Sequence, residues 1–350
     1  MSAPLEPLRL KNPIQRYAWG STKALARLRG KLPGEHPEAE LWMGAHPRAP
    51  STVEHEGQEL SLDQAIRRWP AEMLGGGEEL PFLFKILAVA APLSVQTHPD
   101  AAQARRGFDR EEAAGLPRDA PTRSYPDPQA KPELVVALTP FRALCGWRPW
   151  EESRQLLAAV GLSPADRREA TALLMGGSPE VLRALDKARD PLVAELLQHH
   201  PGDPGALFPL LLRTVHLEPG QGLYLPAGNL HCYIEGVALE LMGNSDNVLR
   251  GGLTIKHKDP AELLSVLDVE APPPPVLETD EQGGWPSPGA PFRLRGAHSP
   301  VRGPAIVLCT GGSLYLGSMR LLSGDSVFVP AAARPQPLGG AGAGFVATPG

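Results

Sequence analysis

The stretch VHLEPGQGLYLPAG, residues 215–228, aligns without a gap to MRLLSGDSVFVPAA, residues 319–332. Leu217 falls on Leu321, Gly220 on Gly324, Leu225 on Val329 and Pro226 on Pro330. Each copy reads as an apolar run, a glycine turn and a second apolar run closed by proline, the pattern of a hairpin in a small antiparallel barrel. Two related barrels are therefore expected in one chain. The copies then diverge: NLHCYIEG places His231 after the first, whereas ARPQPLGG places Pro335 at the equivalent position of the second. The first barrel can offer a metal an imidazole there, and the second is expected to be structural.

Working outward, the 40 prolines and 37 glycines sit between short β-branched or apolar runs, the punctuation of many short strands. Strands are expected near 82–98, 131–146, 210–241 and 305–330. Ser61 and Gln64 have capping-box spacing, so a short helix is expected over 61–74, limited by Pro70. Residues 150–209 change character. Ser163-Pro164, Ser178-Pro179 and Asp190-Pro191 each read as an N-cap followed by proline at the first helical position, and a helical subdomain is expected there. The proline-rich tract 271–291 reads as a semi-rigid linker. The organisation is then a metal-holding barrel from 1–149 and 210–270, interrupted by the helices, and a C-terminal barrel at 292–350 completed by N-terminal or linker strands.

Composition bounds the function. A net charge of −5 and a pI near 6.1 give no general attraction to nucleic acid or to an anionic membrane. The apolar run from Ile86 to Leu93 is far short of the roughly 20 residues of a spanning helix, and no signal-peptide core opens the chain, so a cytoplasmic protein is expected. Cys145, Cys232 and Cys309 are odd in number and widely separated, which argues against a disulfide framework and a thiolate zinc site. Any metal would take nitrogen and oxygen ligands.

Such ligands are present. Gln96 and His98 are two residues apart at the end of an apolar run and share one face of a strand. Glu133 opens the strand-like KPELVVAL, where an unpaired carboxylate would be costly. With His231 these residues offer two imidazoles, a carboxylate and an amide oxygen, a set that borderline divalent ions accept. Spacing alone leaves the alternative of satisfied polar groups at strand ends open.

AELWMGAHP, PFLFKILAVAAPLSVQTHPD, KPELVVAL, LPAGNLHCYIEG and LELMGNSDNVLRGGLTIKH resemble, in order, the signature blocks of the type I mannose-6-phosphate isomerases, zinc enzymes of the cupin superfamily. The resemblance implies a mainly β protein of two cupin-like jelly-roll barrels, one Zn²⁺ per chain on Gln96, His98, Glu133 and His231, and Arg250 as an active-site arginine. It implies interconversion of mannose 6-phosphate and fructose 6-phosphate through an enediol, in a monomer whose partner is the phosphosugar alone. Lys131 is then the candidate proton shuttle, Glu240 and Asp246 the candidate hydroxyl contacts or alternative bases, and Lys85 and Ser94 the candidate phosphate contacts. Three positions depart from the family pattern: Ala130 stands where a histidine is usual, Ala101 replaces a lysine and Ile255 a proline. Two rival readings are a non-heme iron oxygenase, which also uses two histidines and a carboxylate, and a non-catalytic sugar-binding bicupin.

Overall fold

A computed structural model describes residues 2–350. Its largest element is an eleven-stranded antiparallel sheet that folds over on itself. One path runs through Val276–Leu277, Gly222–Leu225, Glu133–Ala137, His231–Gly243, Phe82–Val89, Glu40–Met43 and Ile14–Gln15. The other arm pairs Leu212–Leu217 with Phe141–Trp147, and Leu249–Gly252 with Val95–Thr97. His231–Gly243 joins the two arms. Its residues 236–243 pair with Phe82–Val89, whereas His231, Cys232, Tyr233 and Glu235 pair with Phe141–Trp147. The change of arm occurs at Gly236, whose φ of +120° excludes most side chains and whose Cβ would lie 2.6 Å from Pro140 O.

Phe82–Val89 is buried at every residue, as expected of a central strand covered on both faces. The run expected over 82–98 is two strands, not one. It breaks at residues 90–94, where Pro92 lacks a ladder donor, and restarts as Val95–Thr97 on the other arm. The break carries Gln96 and His98 across the barrel.

The repeat also differs from a hairpin. Leu212–Leu217 pairs with Phe141–Trp147, while Gly222–Leu225 pairs with Glu133–Ala137. In the second copy Met319–Leu322 pairs with Ser313–Leu316, while Ser326–Val329 pairs with Leu8–Leu10 and Ala305–Gly311. Both copies are corners that send the chain from one arm to another. Gly220 at φ +93° and Gly324 at φ +89° make the same left-handed turn in each. The second unit is closed by an apolar filling that includes Val307, Leu314, Leu316, Leu321, Val327 and Val346.

Between Phe141–Trp147 and Leu212–Leu217 the chain forms helices Trp150–Ala159, Arg167–Gly176, Pro179–Lys187 and Pro191–His199 and the 3₁₀ turn Pro204–Leu210. Ser178 and Asp190 cap their helices, accepting from Val181 N–H at 3.4 Å and Leu192 N–H at 2.8 Å. Ser163 does not cap. The helix there starts after Asp166, whose carboxylate accepts Glu169 N–H at 2.8 Å. Residues 61–74 form two helices, Leu62–Arg68 and Pro70–Leu74, because Pro70 opens the second rather than continuing the first. Leu157, Leu174, Val181, Leu196 and Phe208 pack against Cys232 and Ile234, the outward residues of the strand that bears His231. Period-two alternation turns His231 and Tyr233 the other way, into the barrel. Residues 271–291 are tied down: Val276–Leu277 adds an edge strand, and Trp285 is buried with its indole N–H donating to Gly220 O at 2.9 Å.

Candidate metal centre

His98, Glu133 and His231 converge although they come from three separate segments: one nitrogen of each ring and one carboxylate oxygen all lie within 4.8 Å of one another. All three are buried, Glu133 completely. His98 Nε2 stands 3.1 Å from Glu133 Oε1, and His231 Nε2 stands 3.3 Å from Oε2. The other nitrogen of each ring is tethered. His98 Nδ1–H donates to Asn247 O at 2.7 Å, and His231 Nδ1–H donates to Asn229 O at 3.1 Å. A carbonyl only accepts, so Nδ1 carries the proton and in a neutral ring Nε2 carries the lone pair. Burial, reinforced by the Lys131 ammonium, pushes His98 down to about 4, so its ring is neutral at pH 7. The His98 lone pair thus faces an anionic carboxylate, and His98 Nε2 is buried without a hydrogen bond. A cation between them resolves that repulsion, and tethered Nδ1 with free Nε2 is the arrangement of metal-binding histidines.

Gln96 lies beside these three residues. Its backbone pairs with His231, and its amide Nε2 lies 3.4 Å from His231 Nε2, with Ser94 Oγ–H donating to its Oε1 at 3.2 Å. A half-turn of the terminal torsion exchanges amide oxygen and nitrogen, so the group can present oxygen to the same point. The donors fit a divalent ion of the zinc type, with two imidazoles, one carboxylate and one amide. Among the described residues no other cluster of histidine, cysteine, aspartate or glutamate meets the same geometry.

Around this centre opens a cavity of about 630 Å³, whose wall includes Gln96, Lys131, Glu133 and Tyr233. Lys131 Nζ donates to Glu133 Oε1 at 2.6 Å, and Tyr233 O–H donates to Oε2 at 3.1 Å. Burial works against the Glu133 charge, but Lys131 together with the facing His98 and His231 outweighs it and holds the carboxyl well below the usual range. Burial and the Glu133 charge push Tyr233 well above its ordinary value, so it remains a donor.

Of the other expected residues, Glu240 and Lys85 are direct partners across the Phe82–Val89 ladder, 3.0 Å apart. Glu40 approaches Lys85 Nζ at 3.8 Å and accepts the Trp42 indole N–H. Burial opposes the Lys85 charge, but Glu40 and Glu240 more than offset it and raise the group above its ordinary value. Burial raises Glu240 as well. Lys85 therefore already holds two counter-charges. Asp246 pairs with Arg48 at 2.9 Å and stands 3.6 Å from His46. Arg250 pairs its backbone with Gln96. Its guanidinium lines the cavity without an ion-pair or hydrogen-bond partner among the described residues, and burial lowers it from its ordinary value.

Sequence reasoning assigned no role to Glu40, Trp42, Arg48, Tyr233 or Lys256, all on the cavity wall. Glu40 was the most accessible of these, because a carboxylate inside the otherwise apolar strand ELWM needs a partner. Ile255 is fully exposed at the cavity rim, whereas Ala101 is the exposed first residue of helix Ala101–Ala113 and is not part of the wall.

Comparison with known proteins gives the same picture over nearly the whole chain. The family model for the phosphomannose isomerase type I catalytic domain matches residues 8–150. The mannose-6-phosphate isomerase of Escherichia coli K12 is 39% identical over 380 residues, covering 95% of this chain and 97% of that protein. The Salmonella typhimurium enzyme is 41% identical over 302 residues, covering 77% of each. A crystal structure of a mutant of the Salmonella phosphomannose isomerase superposes with a TM-score of 0.90 at 35% identity, over 98% of this chain and 99% of that one. A zinc-bound mannose 6-phosphate isomerase gives 0.87 at 35% identity with the same coverage. The chain belongs to the type I phosphomannose isomerases.

Proposed function

We propose that the chain interconverts mannose 6-phosphate and fructose 6-phosphate, with one zinc ion held by Gln96, His98, Glu133 and His231. The observation that carries this reading is the pair of imidazoles, each tethered at Nδ1, whose Nε2 atoms face Glu133 beside a cavity lined by Lys131 and Arg250. When bound, the ion supplies Lewis-acid charge that polarises a sugar carbonyl.

The chain's own residues do the rest. In the forward direction the C2–H bond breaks, its electron pair forms the C1–C2 double bond, and the carbonyl pair moves onto O1, which takes a proton to give the enediol. Returning a proton to C1 while O2 loses its hydroxyl proton yields the ketose. Lys131, the amine closest to the ligand cluster, is the proposed carrier of the carbon-bound proton, taking it from C2 as the free amine and returning it to C1 from the ammonium so formed. Arg250, placed beside Gln96 and lacking a counter-charge, stabilises the negative oxygen as it develops. Glu240 and Asp246 orient sugar hydroxyls; burial raises Glu240, which also makes it the alternative base.

For the phosphate, Lys85 and Ser94 are poorly free. Lys85 is held by two carboxylates, and the Ser94 hydroxyl donates to Gln96. We assign the phosphate to the rim near Lys256, which faces the Tyr17 ring at 5.8 Å and has no carboxylate partner at ion-pair distance among the described residues. A monomer completes the reading. A cytoplasmic location belongs to it as well; among the described residues no helix is long and apolar enough to cross a membrane.

The test is production of fructose 6-phosphate from mannose 6-phosphate. Binding without turnover would favour the bicupin reading, and oxygen consumption with Fe²⁺ the oxygenase. Neither rival is supported by the relatives described above.

A further inference from the structure

Asn247 is completely buried, and every polar atom it has is in use. Its carbonyl accepts His98 Nδ1–H at 2.7 Å. Its side-chain Nδ2 donates to Asp127 O and to Gln129 O, each at 2.8 Å, and its Oδ1 accepts Asp127 N–H at 3.4 Å. Its own N–H donates to Ser245 Oγ at 3.1 Å, and Ser245 Oγ–H in turn reaches Gln129 O at 3.2 Å. Next to it, Asp246 N–H donates to Asp127 Oδ2 at 2.8 Å.

Two consequences follow from this geometry. The residues before Lys131 form neither helix nor strand, so the carbonyls of Asp127 and Gln129 have no ladder to accept from. The Asn247 amide supplies both donors and sets the approach of the chain to Lys131 and Glu133. The same residue's carbonyl dictates which nitrogen of His98 keeps its proton. Asn247 thus joins the segments bearing His98, Lys131 with Glu133, and Asp246 through its own hydrogen bonds.

We propose that Asn247 is a positioning residue for the metal centre: its side chain clamps the loop before Lys131 so that its carbonyl can aim His98. The inference rests on the metal reading above. Partners of this kind are worth about 10- to 100-fold in metal affinity.

Zinc affinity of the purified full chain, measured by competition with a chromophoric chelator, tests it without relying on turnover. Asn247→Ala should bind zinc about 10- to 100-fold more weakly than wild type. Asn247→Ser, which keeps one donor, should show a smaller loss in the same direction. Asn244→Ala should stay within about twofold, because the Asn244 Oδ1 has no hydrogen bond to lose. The decisive arm is a double-mutant cycle. If Asn247 acts in part through His98, the affinity lost on Asn247→Ala should be smaller in the His98→Ala background than in wild type. Wild-type affinity in folded Asn247→Ala and Asn247→Ser, or a full additional loss in the double mutant, would overturn the proposal. A wild-type chain that binds no zinc would instead overturn the metal reading, and this inference with it.

Discussion

Replacing Lys131 by methionine separates three effects that the structure links at one carboxylate. The Lys131 ammonium lies 2.6 Å from Glu133 Oε1, with side-chain exposures of 8% and 1%. Methionine keeps most of the volume and removes the charge. In the metal-free protein a buried carboxylate then loses its nearest cation, a loss of about 3–5 kcal/mol for a buried pair. The metal-free melting temperature should therefore fall by several degrees. Zinc should do the opposite of what a simple loss of structure predicts. The ammonium and a divalent ion compete for the same carboxylate, so removing the ammonium relieves like-charge repulsion and the zinc-induced rise in melting temperature should exceed that of wild type. Turnover should fall by about 10²- to 10⁴-fold, as on loss of a general base. Exchange of the sugar C2 proton with solvent deuterium should stop while sugar phosphate still binds. Differential scanning fluorimetry with and without saturating zinc, beside a deuterium-exchange assay, reads all three. A variant with the melting temperature and zinc response of wild type would refute the electrostatic coupling. Turnover within a few-fold of wild type would move the proton transfer to Glu240 or Asp246.

Arg250→Lys should retain fold and zinc yet lose about 10²- to 10³-fold in kcat, slowing deuterium exchange and isomerisation together, because an ammonium cannot reproduce the guanidinium fork; unchanged kcat would remove Arg250 from the chemistry. His231→Ala should lose most bound zinc by elemental analysis. The nearby Cys145 and Cys232 thiols cannot substitute, since burial pushes both well above their ordinary values; stoichiometric zinc in both His231→Ala and His98→Ala would sink the ligand assignment. His46 is buried against Asp246, and burial lowers it from 6.5 to about 4. Between those values the unfolded chain binds the extra proton, so this contribution is complete above pH 6.5 and drains as the pH falls toward 4, up to about 3 kcal/mol. Metal-free His46→Gln should accordingly lose less stability between pH 7 and pH 4.5 than wild type, and an equal decline would contradict the assignment.

The reach of the sequence differs from residue to residue for physical reasons. Gln96, His98, Glu133 and His231 could be grouped because polar atoms at the ends of apolar runs carry a desolvation cost that demands partners. The glycine turn of the repeat was legible because Gly220 and Gly324 need left-handed backbone. The hairpin was not, because which arm a strand joins depends on long-range register, and the switch at Gly236 has no local signature beyond one glycine. Ser163-Pro164 failed as a helix start because Asp166, three residues on, supplies a cap with better geometry. Arg48 and Tyr233 resemble an ordinary surface arginine and an ordinary core tyrosine until the fold sets them beside Asp246 and Glu133. Lys85 has a carboxylate partner in Glu240, 155 residues away in sequence and adjacent in the sheet, a pairing no local pattern could show.

One metal site per chain drives aldose–ketose isomerisation. This is tested most directly by stripping the protein with a chelator and titrating zinc back while following mannose 6-phosphate turnover and bound metal in the same sample. The stripped protein should be inactive, and recovery should be linear and stop at one zinc per chain, since Pro335 stands where the second barrel would need a histidine. Full turnover without bound metal, or recovery that continues to a second tightly bound ion, would contradict it.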